Sequence, residues 1–361
     1  MRPYKVRRSK IDNLGLYASK NIKKGEKVIE LEKEFAKMVG SKYAIAVTSS
    51  THGQDLVFKA LEINNCDIIN PTISFMTTAV VPLWNNCSSN IVDVRENDLN
   101  ISPSDVKNNL KSNTKAIIAV NHAGVPAPIS EIRKFFDGFI LEDCAHSCYT
   151  KGAGKAGDIA VWSFQAVKTM PCGDGGMITT NNKELYEKLL AMTWLGISST
   201  YSRTHKDKNI KSNYSWDYDV SLLGYKCYMT DINACIALEQ MKKLPKHLES
   251  RRTIQKLYNN ELSEYIKIPQ WSETVQYYCA RVDSKHRDHL IDFLAEKKIH
   301  TSVHFKPLHL HTLLRKMNMR NYEVADVEWK KLISLPCHPG MSKDDVGYVI
   351  YWVKNYFEKF S

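Results

Sequence analysis

Between Tyr43 and Phe139 short apolar runs and stretches of helical periodicity follow one another without a break, and this alternation restricts the possible folds more than any other feature. Tyr43-Ala-Ile-Ala-Val, Asp67-Ile-Ile, Ser89-Asn-Ile-Val-Asp-Val, Ala116-Ile-Ile-Ala-Val and the run at Phe139 read as strands. Helical patterns follow Thr48 and cover Thr77 to Trp84, Ser102 to Leu110 and Ser130 to Phe136. Repeated βα units of this length predict an α/β fold with a mainly parallel, doubly wound central sheet. Ligands of such sheets sit at the carboxyl ends of the strands. The Thr48 turn, the Pro71-Thr-Ile-Ser-Phe loop and Asp143 all fall at such ends.

The rest of the chain extends this frame. A helix from Val28 stops at Gly40, Met177-Ile-Thr-Thr adds a strand, and Lys183 to Trp194 a helix. Residues 197–223 are polar and aromatic with little periodicity; a loop of that length is usually functional or disordered, and its tyrosines and tryptophan argue against disorder. Asp231 to Leu262 reads as a connecting helix. A Tyr278-Cys-Ala-Arg-Val strand, an Arg287 to Lys297 helix, a His300 to Phe305 strand and an Asp344 to Phe357 helix form an α+β pattern. The expected organisation is a large domain over 1–240, with 1–27 an atypical N-terminal segment, and a smaller C-terminal domain over 241–361.

Composition excludes several classes. The chain of 361 residues is 43% apolar, enough for a packed core, and has neither an 18-residue apolar run nor an apolar stretch behind its basic start. The expectation is a cytoplasmic protein with no membrane span. Nine cysteines without a C-x-x-C spacing fit reduced thiols. Cys144 and Cys148 flank His146, but that run cannot wrap a tetrahedral ion, so no metal is expected. A net charge of +11 suits an anionic ligand such as a phosphate or nucleotide. The lysines are scattered without interleaved aromatics, which argues against nucleic acid.

Leu141 to Gly176 carries the chemistry. One apolar run ends on Glu142-Asp143, and a second, Asp158 to Phe164, ends near Lys168, so an acid and a lysine leave two strand ends toward one cavity. Taken singly, each also reads as an acid closing a strand and a solvated loop lysine. Thr48-Ser-Ser-Thr at the start of a helix is more hydroxyl than a cap needs, and a helix N-terminus favours phosphate. Pyridoxal 5'-phosphate asks for a lysine, a carboxylate for its pyridinium nitrogen and a cluster of phosphate donors. Lys168, beside Trp162, Phe164 and Val167, supplies the first; Asp143 the second; Ser50, Thr51 and Ser163 the third. Phe75 can cover the ring and His146 can bond its phenolic oxygen.

Ser163-Phe-Gln-Ala-Val-Lys168, Gly173-Asp-Gly-Gly-Met-Ile, Glu142-Asp-Cys-Ala-His, Gly224-Tyr-Lys-Cys-Tyr-Met-Thr-Asp-Ile-Asn-Ala and Val303-His-Phe-Lys-Pro-Leu-His together resemble the DegT/DnrJ/EryC1/StrS sugar aminotransferases, from about Val28 onward. The resemblance implies fold type I of the pyridoxal-phosphate transferases and carries over Lys168 as the amine that joins the cofactor and shuttles the proton. It also carries over Asp143 to the pyridine nitrogen, His146 to the ring oxygen, Phe75 to the ring face, and Ser50, Thr51 and Ser163 to the phosphate. The implied reaction moves the amino group of L-glutamate, released as 2-oxoglutarate, to the keto carbon, C4 in the branch most resembled, of a nucleotide-linked 4-keto-6-deoxy sugar. The product would be a 4-amino sugar for polysaccharide or glycan synthesis. A homodimer with the active site at the subunit interface is implied by the Gly224 motif, where Lys226 replaces the usual asparagine and Cys227 the following aromatic. His304, His309, Arg203 and Tyr201 are further candidates for the substrate.

The same residues admit other readings. Related sugar dehydratases resemble this family but carry histidine in place of the lysine, and a non-catalytic member would explain the irregular Lys226-Cys-Tyr. Residues 9–31 resemble the opening of SET-domain lysine methyltransferases, yet Asn121-His122 is followed by Ala-Gly, without the cysteine those enzymes need.

Overall fold

The computed structural model describes residues 4–7, 15–18, 25–197 and 218–360. Strands β1 (Tyr4–Arg7) and β2 (Gly15–Ala18) form an antiparallel pair. Helix α1 (Glu26–Val39) buries Val28, Leu31 and Phe35 along one stripe and ends at Gly40, whose φ of 71° suits a residue without Cβ. Its free N-terminal amides at Gly25, Lys27 and Val28 donate to the Asp231 carboxylate.

The expected sheet forms from seven strands in the order β3-β9-β8-β7-β6-β4-β5. These are β3 (Tyr43–Val47), β4 (Asp67–Pro71), β5 (Ser88–Val92), β6 (Thr114–Val120), β7 (Phe139–Asp143), β8 (Ile159–Ser163) and β9 (Gly176–Thr180). The run from β5 to β8 is parallel, and β9 is antiparallel to both its neighbours. Both faces are covered, which explains the continuous apolar runs. On β8, Ala160 and Trp162 join α1 and the long helix Asp231–Leu262 on one side, while Ile159 and Val161 join α2 (Ser50–Ala60) and α6 (Lys183–Met192) on the other. Helices α3 (Thr77–Trp84) and α4 (Pro103–Asn108) form as expected, but the expected Ser130–Phe136 helix shrinks to one turn, α5 (Ile129–Ile132). The chain turns there, and Phe136 is buried in the same core as Ile132 and Ile140.

Helix α7 (Asp231–Leu262) runs unbroken through residue 240. Leu244 and Leu248 belong to the core beside the sheet, and Ile254 and Tyr258 to a second core. That second core is built by α8 (Ser284–Glu296), α9 (Lys343–Phe360) and a two-stranded antiparallel sheet of β10 (Tyr278–Arg281) and β11 (Leu332–Leu335). The expected His300–Phe305 strand is not present; only Ser302 bridges, to Ser334. Beyond it the chain leaves the sheet edge and carries the His304 and Phe305 rings against Tyr277.

Gly176 is where sheet and α2 come closest: a Cβ there would lie 2.6 Å from Ser50 N and 2.8 Å from Trp162 O, both backbone atoms that cannot yield. Gly176→Ala is therefore expected to lower unfolding free energy by about 1–3 kcal/mol in urea denaturation.

Candidate active site

Asp143 is the last residue of β7 and is paired in register with Val161 of the parallel neighbour β8, which continues to Ser163 and turns into the segment bearing Lys168. The acid and the lysine thus leave the carboxyl ends of adjacent strands. Successive residues of a strand face opposite ways, and Glu142 and Asp143 divide their work accordingly. Glu142 accepts from the N–H groups of Gly154, Ala156 and Gly157 and from Asn121 Nδ2, fixing the loop between the two strands. Asp143 accepts from Gln54 Nε2 at 2.8 Å and from Ala145 N–H at 2.9 Å.

Burial dominates the electrostatics. It raises the Asp143 carboxyl above its ordinary value, against the Ala145 hydrogen bond, the Lys168 charge and the Gln54 hydrogen bond. It pushes the Lys168 amine down to about 8, against the pull of Asp143. His146 is held well below its usual range, first by burial and then by the charge of Lys168, and the Tyr277 phenol well above its own by burial. A lysine with a free-base fraction near neutrality is a nucleophile and a base.

The phosphate candidates cluster at the start of α2. Ser49 caps it, accepting from His52 N–H, so Ser50 is not needed as the cap. Ser50 Oγ is buried without a hydrogen-bond partner, an orphan that an incoming oxyanion would satisfy. Thr51 Oγ1 lies 2.8 Å from Thr77 Oγ1, and Ser163 Oγ accepts from Gln165 N–H at 3.4 Å. Donors at a helix N-terminus, a buried carboxylate and a desolvated amine fit the three demands of pyridoxal phosphate.

An aromatic group closes the site. The His146 ring stacks on Phe305 at 6.0 Å, with Nδ1 3.4 Å from the Tyr277 hydroxyl, and Phe75, 61% exposed, tilts against Phe305 at 6.3 Å. His304 stacks on Tyr277 at 4.1 Å and bonds Ser334 Oγ, with its pKa lowered to about 4 by burial. His309 has both ring nitrogens engaged, to Thr72 Oγ1 and Asp326 Oδ1, and stacks on Tyr322. Lys226 lies apart from this group, with its amine 5.5 Å from the Trp194 ring, on a hollow shared with His52, Lys59 and Tyr225. Arg203 and Tyr201 lie outside the described residues. Cys144 and Cys148 sit in the apolar core with Trp162 and Phe164.

Sequence reasoning missed Gln54, Tyr277, Phe305 and Gln276. Gln54 had a readable signal, since it falls one turn after Ser50 on the same helix. Phe305 had one too, inside the Val303-His-Phe motif, whereas Tyr277 and Gln276 had none, because they arrive from the C-terminal region: Gln276 Nε2 donates to Val167 O beside Lys168, and Thr274 Oγ1 donates to Cys148 O.

Comparison with known proteins gives the family and supports the fold. A model of the DegT/DnrJ/EryC1/StrS aminotransferase family matches residues 11–354. It begins ahead of Val28 and takes in most of the segment that resembles a SET-domain opening. The spore coat polysaccharide biosynthesis protein SpsC of Bacillus subtilis is 33% identical over 92% of this chain and 90% of its own. Among solved structures, PseC of Helicobacter pylori, an aminotransferase involved in pseudoaminic acid biosynthesis, has a TM-score of 0.86 at 23% identity, covering 95% of this chain and 94% of PseC. NtdA of Bacillus subtilis, with bound cofactor PMP, has a TM-score of 0.83 at 23% identity, covering 92% and 77%.

The Lys168 environment is testable in cofactor-free protein. Labelling of Lys168 by an amine-directed acylating reagent, followed by peptide mass, is expected to rise with a midpoint near pH 8, against about 10.4 for an ordinary lysine. Asp143→Asn removes the one charge opposing burial, so the midpoint should fall further; an unchanged midpoint near 10 would place the amine in water.

Proposed function

Because the chain belongs to the DegT/DnrJ/EryC1/StrS aminotransferase family, and its site joins a desolvated lysine to a buried carboxylate, we propose that it is a pyridoxal-phosphate-dependent sugar aminotransferase. In this reading it moves the amino group of L-glutamate to C4 of a nucleotide-linked 4-keto-6-deoxy sugar for polysaccharide synthesis. The observation that carries it is the pairing of Asp143 and Lys168 at the ends of β7 and β8, in surroundings dry enough to move both toward their neutral forms.

When bound, pyridoxal phosphate supplies an aldehyde that joins an amine and a ring that takes up the electrons left when the adjoining carbon loses its proton. This chain's residues do the rest. The orphaned Ser50 hydroxyl, Thr51 and Ser163 would hold the phosphate, and Asp143 would hold the proton on the ring nitrogen. His146, kept neutral by burial, bonds the ring oxygen, and Phe75 covers a face. Lys168 would be the amine that the aldehyde joins and, when free, the base that takes the proton from the amine-bearing carbon of L-glutamate. The same amine reverses the steps with the keto sugar.

Two features support the remaining parts of the reading. The net charge of +11 suits a nucleotide-linked substrate. Apolar side chains left in water, Val167 next to Lys168 at 67% exposure and Leu223 next to the Gly224 motif at 93%, suit a homodimer that covers them and brings Lys226 to the partner's phosphate.

The test is spectroscopic. The protein loaded with pyridoxal phosphate should absorb in the visible, lose that band on addition of L-glutamate, and regain it with the correct nucleotide 4-keto sugar among UDP, GDP and dTDP forms. Lys168→Ala should fold normally and lose about 10²–10⁴-fold or more in amino-group exchange. A wild-type protein that folds but cannot bind the cofactor would sink the proposal.

A further inference from the structure

Gln54 belongs to none of the motifs that mark the family, yet it makes the only side-chain hydrogen bond to Asp143 among the described residues. It is fully buried at 0% exposure, and its Nε2 donates to Asp143 Oδ2 at 2.8 Å, while Oδ1 accepts from Ala145 N–H. A carboxylate only accepts, so the amide nitrogen must face it. That orientation leaves Gln54 Oε1 buried without a partner. A buried carbonyl oxygen without a donor weakens a fold, and a methionine or leucine would pack there without that loss. Stability therefore does not explain the glutamine, whereas its bond to Asp143 does.

Helix α2 meets the site twice. Its first residue, Ser50, presents an orphaned hydroxyl, and one turn later, about 6 Å along the axis, Gln54 reaches the carboxylate. Residues four apart share a helix face, so a single rigid element spans both anchor points. We propose that Gln54 is a positioning residue that fixes the Asp143 carboxylate against the cofactor's ring nitrogen, so that the helix receiving the phosphate also sets the opposite anchor. This inference rests on the function proposed above. Without the amide, Asp143 keeps one donor in a dry site, turns more freely about its side-chain bonds and takes up a proton more readily. A neutral acid no longer holds a protonated ring nitrogen, so the effect of losing Gln54 must pass through that nitrogen.

Titrations of the apoprotein with pyridoxal phosphate, and with the analogue that carries carbon in place of the ring nitrogen, test this. Gln54→Met keeps the volume and removes the donor. It is expected to bind pyridoxal phosphate about tenfold or more weakly than wild type, to bind the analogue with unchanged affinity, and to melt at the same temperature without cofactor. Equal losses for both ligands would make Gln54 a structural residue, and equal affinities of variant and wild type for pyridoxal phosphate would remove its role; either overturns the proposal. Gln54→Glu retains the shape. Its carboxyl can donate to Asp143 only while the two acids share a proton, so its affinity for pyridoxal phosphate should fall more steeply with rising pH than that of wild type; a parallel pH profile would count against the proposal. If wild type binds neither ligand, the proposed function fails with it. If wild type binds both and Gln54→Met matches it, only the role of Gln54 fails.

Discussion

Two groups that prefer water, a carboxylate and an ammonium, are delivered out of water by the ends of β7 and β8, and the rest of the structure either imposes or answers that condition. Burial moves both toward neutrality, raising Asp143 and lowering Lys168 to about 8, while their mutual attraction opposes it. A pair held this way is poised rather than satisfied. A ligand with a protonated ring nitrogen at one end and an aldehyde at the other would give Asp143 its countercharge and turn the amine from a burden into a bond. The orphaned Ser50 hydroxyl at the start of α2 is a third unmet demand in the same place.

The scaffold around these groups is made chiefly of backbone. Glu142 gathers the amides of Gly154, Ala156 and Gly157, so the connection from β7 to β8 is pinned by the residue next to the functional acid. Gly176 lets β9 pass against the backbone of Ser50, so a side chain there would push α2 off the site. From the C-terminal region, Thr274, Gln276 and Tyr277 reach Cys148, Val167 and His146. The C-terminal region is thus a wall of the site and not an appendage.

What could be read in advance follows from whether a signal is local. The sheet was legible because strands covered on both faces appear as apolar runs between helical patterns, and Asp143, Lys168 and the Ser50 turn because strand ends and helix starts are local features. The His300–Phe305 strand was misread because His304 and Phe305 look like strand residues but are drawn off to stack on Tyr277 and His146. Strand β11, Leu332–Leu335, escaped notice because its partner β10 lies far away in sequence and only pairing defines it. Tyr277 and Gln276 could not be found for the same reason. Gln54 could have been, by stepping one turn from Ser50.

The central claim is that Lys168 is the amine the cofactor joins. Loading the protein with pyridoxal phosphate, reducing it with borohydride to make the lysine link permanent, and mapping the peptides by mass tests it directly. The account predicts a phosphopyridoxyl group on the peptide containing Lys168 and on no other. The same group on a different lysine, or on none, would contradict it.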